Sequence, residues 1–189
     1  MHKKKSIHTK KFLPKKLIIA TQFFSPDFAA TGQLLNDLTD RLSKKGICIE
    51  ILTGFPSYSN EFVKTKKIEK TKNKIIYRSI TSRIFPKKFA GKILNGLIFS
   101  FNISLKIIFS NYKTNLYLFT TEPAYLPIIA SIISIIFKKK YILLIYDLYP
   151  EILFQFGILK KNNLIIKFWQ LFNKLVFNFS EEIIVLSDP

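Results

Sequence analysis

Short apolar runs rich in β-branched residues alternate along the chain with longer stretches in which leucine and isoleucine return at helical spacing. KLIIAT (16–21) is the first run, a pattern that predicts a buried strand. A loop, QFFSPDFAAT, leads to Gly32 and to QLLNDLTDRLSKKG, where Leu34, Leu35, Leu38 and Leu42 predict one helical face and Gly46 its stop. ICIEILT (47–53) predicts a second strand closed by Gly54 and Pro56, and KIIYRSI (74–80) a third. Residues 89–112 read as a helix that is apolar nearly all round, and TNLYLFTT (114–121) as a fourth strand. A buried helix over 123–137, a fifth strand YILLIY (141–146), an amphipathic helix over 162–179 and a sixth strand EIIVLS (182–187) complete the pattern. Within these elements Cys48 is expected as a small buried hydrophobe, and Trp169 with its neighbouring phenylalanines as core.

Strands that read as continuous apolar runs and alternate with helices predict a parallel sheet covered on both faces, a doubly wound α/β domain of Rossmann-like type. The 189 residues suit one such domain. Residues 1–15 lack periodic apolar positions and read as a disordered basic tail, leaving 16–189 as the domain. Its last strand would be expected to feed a further helix, so the chain reads as cut before a following domain.

Charge changes the picture next. Lysine and arginine total 30 against 12 acids, a net charge of +18, which raises the possibility of nucleic acid or an anionic membrane as partner. Only Arg41, Arg78 and Arg83 are arginines, whereas planar, bidentate reading of phosphate and guanine favours that residue, so nucleic acid is not expected. The cations cluster: residues 1–16 hold seven lysines and no acid, and residues 64–92 hold eleven cations beside Glu69. Such blocks attract anionic headgroups at roughly 1 kcal/mol per residue near the surface. The abundance of Ile, Lys, Asn and Phe also fits a bland origin in an AT-rich genome. The longest uncharged stretch, 123–137, falls short of the roughly 20 residues of a spanning helix. Residues 17–24 read poorly as a signal peptide, so the expected location is cytoplasmic, with peripheral contact at the inner face of the cytoplasmic membrane.

One cysteine rules out a disulfide framework, and both histidines, His2 and His8, precede the domain. Histidine-based triads and zinc sites are thereby removed, and a general base would have to be a carboxylate. In open α/β sheets ligands bind beyond the carboxyl ends of the strands. The polar groups expected there are Ser25, Asp27, Thr31, Gly32 and Gln33, then Thr53 and Gly54, then Glu122, and finally Asp147 and Glu151. Thr31 to Gln33 open a helix whose N–H groups suit a phosphate or carboxylate, or they merely cap it. Asp147 ends an apolar strand and is either functional or fixes the turn that follows. Glu122 has the same two readings before Pro123, and Glu151 is alternatively an acid in a first helical turn. A single glycine in place of G-x-G-x-x-G argues against a nicotinamide or flavin cofactor.

Taken together, ATQFFSPDFAATGQLLNDLTDRLSKKG with IEILTGFPSYS, TTEPAYLP, YDLYPEILFQFGIL and IIVLSDP resemble, in order, the N-terminal domain of family-4 glycosyltransferases that build bacterial capsule, O-antigen and exopolysaccharide. The resemblance implies the N-terminal half of a GT-B architecture, which mostly binds the acceptor. The C-terminal donor domain, with its Glu-x7-Glu signature, has no counterpart in these residues, so this portion alone would not turn over. It further implies transfer from a nucleotide-diphosphate sugar, the nucleotide sugar being a substrate, to a glycan or polyprenyl-diphosphate-linked acceptor. No cofactor or metal is implied; backbone N–H groups and helix dipoles would hold the leaving diphosphate. Carried over by position, Asp147 and Glu151 would be the catalytic residues, and Thr31, Gly32, Gln33, Gly54, Glu122 and Tyr146 would line the substrate cleft. Two departures stand out: Tyr146 precedes Asp147 where many members carry histidine, and Ile47 follows the glycine of the first helix where histidine is usual. A non-catalytic, membrane-associated subunit of a split enzyme is the alternative reading.

Overall fold

The computed structural model describes residues 16–56, 64–79, 89–110, 116–158, 160 and 162–186. The expected tail, part of the basic 64–92 block and the closing residues 187–189 lie outside these. The described chain runs β1 (Lys16–Ala20), α1 (Ala30–Lys44), β2 (Cys48–Gly54), β3 (Ile68–Lys70), β4 (Lys74–Ser79), α2 (Phe89–Ile108), β5 (Leu116–Thr120), α3 (Leu126–Phe137), β6 (Tyr141–Ile145), α4 (Glu151–Gln155), α5 (Leu164–Phe179) and β7 (Glu182–Val185).

Seven strands form one sheet in the order β3-β4-β2-β1-β5-β6-β7. Only β3 runs antiparallel; every other neighbouring pair is parallel. Leaving β3 aside, the parallel strands lie in the 3-2-1-4-5-6 order of doubly wound Rossmann-like sheets. β3 was not predicted, because IEK is too short and too charged to show an apolar run.

Alternation of side chains along the strands divides the core in two. Ile18, Ala20, Tyr117, Phe119 and Leu143 face α2, α3 and α5, meeting Phe99, Ile103, Ala130, Ile133 and Val176. Leu17, Ile19, Ile49, Ile51 and Leu118 face the other way, onto Leu35 of α1. Each buried leucine, isoleucine, valine or phenylalanine among them is worth about 1.5–3 kcal/mol. Of the four leucines expected on the buried face of α1, Leu35 is fully buried, Leu38 and Leu42 pack against it, and Leu34 points to solvent.

Three burial expectations are corrected. Cys48 is exposed, because it is the first residue of β2, paired with Lys16 at the amino end of the sheet. α3 buries only one side: Leu126, Ala130 and Ile133 are covered while Ile132, Ile135 and Ile136 face out. On α5 the buried line is Ile166 and Val176, with Trp169 stacked on Tyr149 at 5.9 Å, whereas Phe168, Phe172, Phe177 and Phe179 are exposed.

α2 ends at Ile108, short of the 89–112 expected, and is as apolar as its sequence reads. Residues Ala90–Ile108 meet the length and composition of a membrane-crossing helix, yet Phe99, Ile103 and Ile107 pack on the sheet as a core helix does. Ile93, Leu97, Phe101 and Leu105, spaced four apart, form an exposed apolar stripe on its other side, and exposed Phe109 follows just past its end. At the far edge of the sheet β7 pairs with β6 alone among the described residues, and its Ile183, Ile184 and Val185 are exposed.

Candidate functional site

The strand order reverses at β1, which lies between β2 and β5, so a crevice opens beyond the carboxyl ends of β1 and β5. Its floor is a row of backbone bonds. Gly54 N–H donates to Gln22 O at 3.1 Å, and Gln22 N–H donates to Glu122 O at 3.2 Å. Thr53 adds its hydroxyl to Gln22 O at 3.2 Å. Thr121 Oγ1 accepts from the N–H groups of both Tyr146 and Asp147, at 3.1 and 3.2 Å. The ends of β2, β1, β5 and β6 are thus tied laterally, and the loops above them start from fixed points.

α1 begins at Ala30, one residue before the Thr31 to Gln33 opening expected of it, with Ala29 as N-cap and no side-chain cap. Its ladder starts with Gln33 N–H on Ala29 O at 3.2 Å, so the N–H groups of Ala30, Thr31 and Gly32 precede the first helical bond. The capping role considered for Thr31 is not what its side chain does: its hydroxyl donates to Glu122 Oε2 at 2.9 Å. Tyr146 leans over the same turn, its hydroxyl 3.5 Å from Thr31 O. Thr31, Glu122 and Tyr146, from three separate elements, therefore meet at the switch point.

Electrostatically this corner favours protons. Burial raises the pKa of Glu122, as do the nearby charges of Asp147 and Asp27, while the Thr31 hydroxyl opposes the shift. Tyr146 is pushed up to about 12 by burial and by Glu122.

The remaining expected residues are placed differently. Gly32 is buried against the loop: an added Cβ would lie 3.2 Å from Phe24 Cα and 3.3 Å from Phe24 N. Its lack of a side chain serves the close approach of helix and loop. Gln33 is exposed on the helix surface, and Gly54 is buried in the floor. Asp147 follows the alternation of β6 to the side opposite Tyr146 and lines a small pocket with Tyr149, Trp169 and Asn173. Glu151 is the first residue of α4, its Oε2 buried with no hydrogen-bond partner. Among the described residues, no group of three or more His, Cys, Asp or Glu is placed to hold a metal ion.

Sequence reasoning passed over Arg78. It is fully buried, donates through Nε and Nη2 to Glu69 Oε1 at 3.1 and 2.9 Å, and through Nη2 to Ser25 O at 2.7 Å. The β1–α1 loop is thereby anchored to β4. A lone arginine inside an apolar strand was the available signal, since a buried cation requires partners.

No family model matches the sequence, and no curated protein matches it.

Proposed function

We propose that this domain is the acceptor-side, N-terminal half of a GT-B glycosyltransferase. It would serve transfer of a sugar from a nucleotide-diphosphate sugar to a glycan or polyprenyl-diphosphate-linked acceptor in surface polysaccharide synthesis, at the cytoplasmic face of the membrane. The observation that carries the reading is the meeting of Thr31, Glu122 and Tyr146 at the switch point, beside the uncapped first turn of α1. A carboxylate whose pKa is raised is a better proton acceptor near neutrality than an ordinary one, and Glu122 is held where an acceptor hydroxyl could be oriented. The N–H groups that open α1 favour an anionic group such as a diphosphate oxygen. Asp147, in the pocket with Tyr149, Trp169 and Asn173, and Glu151, at the start of α4, are proposed as the catalytic carboxylates near the transferred sugar.

The test is calorimetric titration of the chain with a soluble short-chain isoprenyl-diphosphate sugar and, separately, with nucleotide sugars. The reading expects saturable binding of the isoprenyl compound, weakened about tenfold, or about 1.4 kcal/mol, in Glu122→Ala. Binding of nucleotide sugars alone would reverse the acceptor assignment, and binding of neither would remove it.

The exposed apolar faces of α2 and α5 favour a second reading, a non-catalytic membrane-associated subunit of a split enzyme. A co-purifying chain of similar size that supplies the donor domain would distinguish it.

A further inference from the structure

At the other end of the sheet lies a cavity that the crevice does not explain. The β2–β4 connection contributes edge strand β3 among its described residues, so α2 is the described helix that covers β1, β2 and β4 on their shared face. Beneath its last turn an open space of about 300 Å³ remains. That volume is at the small end of ligand pockets, which span roughly 300–1,000 Å³. Its walls are apolar, from Ile18, Leu52, Ile107 and Phe109, and Glu50 and Lys106 also line it.

Glu50 is 6% exposed, a carboxylate in mid-strand. Lys16 Nζ reaches its Oε2 at 2.5 Å, and Lys106 Nζ stands 3.9 Å from its Oε1. Lys106 also sits over the Tyr77 ring. Lys67 is close enough to act on Lys106 electrostatically. Two lysines therefore flank one carboxylate, with Lys67 acting on Lys106 from further off, and the excess positive charge is focused in a half-open space with low-dielectric walls.

We propose that this cavity binds a free single-chain amphiphilic anion, a carboxylate or phosphate on a short alkyl chain. Its head would be held by Lys106 beside Lys16, and its chain would lie on Ile18, Leu52 and Ile107. Burial lowers the pKa of Lys106 to about 8, with Lys16 and Lys67 adding to the shift and Glu50 opposing it, and an incoming anion would favour the charged ammonium. The site is independent of the glycosyltransferase reading: it lies on the sheet's amino end and shares no residue with the crevice.

Octanoate, octyl phosphate, inorganic phosphate and 1-octanol are titrated into the full chain by calorimetry. The expected result is one site for octanoate and octyl phosphate, with phosphate and octanol at least about tenfold weaker, since each offers half of the chemistry. Lys106→Met, which keeps the apolar stem, should weaken octanoate by about tenfold. A second measurement needs no variant: octanoate should slow acetic anhydride labelling of Lys106 at pH 8 while leaving exposed Lys138 unchanged. Failure of octanoate to saturate, phosphate binding as tightly as octanoate, or unprotected Lys106 would each overturn the proposal. Protection by phosphatidylglycerol vesicles but not by octanoate would overturn it too, assigning the lysines to a bilayer instead.

Discussion

The Thr31 hydroxyl donates to Glu122 Oε2 at 2.9 Å across 91 positions of sequence, joining the first turn of α1 to the end of β5. This bond closes the crevice corner from above, as the Gln22–Glu122 backbone bond closes it from below. Thr31→Val would leave a partly buried carboxylate without its donor, and the expected cost is about 1–3 kcal/mol. In a double-mutant cycle with Glu122→Leu, urea unfolding should reveal a coupling of about 0.5–3 kcal/mol. Additive effects would mean that the bond contributes nothing.

The raised pKa of Glu122 also fixes the sign of a pH effect. The folded state holds this proton more tightly than the unfolded one, so the group weakens folding as pH rises from its ordinary value near 4.5 through the folded value. Glu122→Gln removes that penalty while keeping an acceptor for Thr31. Its melting temperature should exceed that of the wild type at pH 7, and the difference should vanish below about pH 4.5.

Gly32 and Gly46 make a controlled pair. Alanine at Gly32 meets Phe24 backbone at 3.2 Å, while alanine at Gly46 meets nothing within 4 Å but inherits a φ of +84°. Gly46→Ala should cost about 1–2 kcal/mol, the left-handed penalty alone. For Gly32→Ala, overpacking of about 1–3 kcal/mol works against a helix-propensity gain of up to about 1 kcal/mol. Thermal unfolding measures both, and the Gly32 variant should additionally weaken any ligand bound at the first turn of α1.

Arg78 presents the opposite situation, a charge that cannot leave. Glu69→Ala strands a fully buried guanidinium, and about 3 kcal/mol or more of stability should be lost. Replacing both partners, as Arg78→Met with Glu69→Leu, should recover most of that loss in denaturant titrations.

Peripheral membrane contact predicts a defined effect on α2. Phe101 is 64% exposed at the centre of the apolar stripe. Phe101→Glu should abolish flotation with anionic vesicles without moving the melting temperature by more than a degree or two, and wild-type flotation should fall as salt rises. Wild-type protein that stays at the bottom of the gradient would sink the membrane part of the reading.

Sequence pattern sufficed for the parallel strands, though not for antiparallel β3, because buried parallel strands are continuous apolar runs, and KLIIA, LYLFT and YILLI had no competing interpretation. It failed where burial depends on neighbours distant in the chain. Nothing in PAYLPIIASIISIIF tells which isoleucines of α3 face the sheet, and nothing near Cys48 marks it as the uncovered end of its strand. At the site, the strand-end rule singled out Glu122 and Asp147, whereas Tyr146 entered only through the family resemblance. Alternation then sent Tyr146 and Asp147 to opposite sides, a one-residue matter that depends on where β6 stops. Thr121, which holds both of their N–H groups, looked like ordinary strand.

The edge of β7 that is left uncovered among the described residues bears on how this chain behaves in a tube. Ile183 to Leu186 offer a ladder side and apolar side chains to any second copy, the arrangement that other sheets blunt with lysine or proline. Long-range repulsion from a net charge of +18 opposes that encounter. Added salt removes the repulsion first, since at physiological ionic strength it reaches only about 8 Å. Colloidal stability should therefore decline with rising ionic strength, and a lysine at Ile184 should restore it.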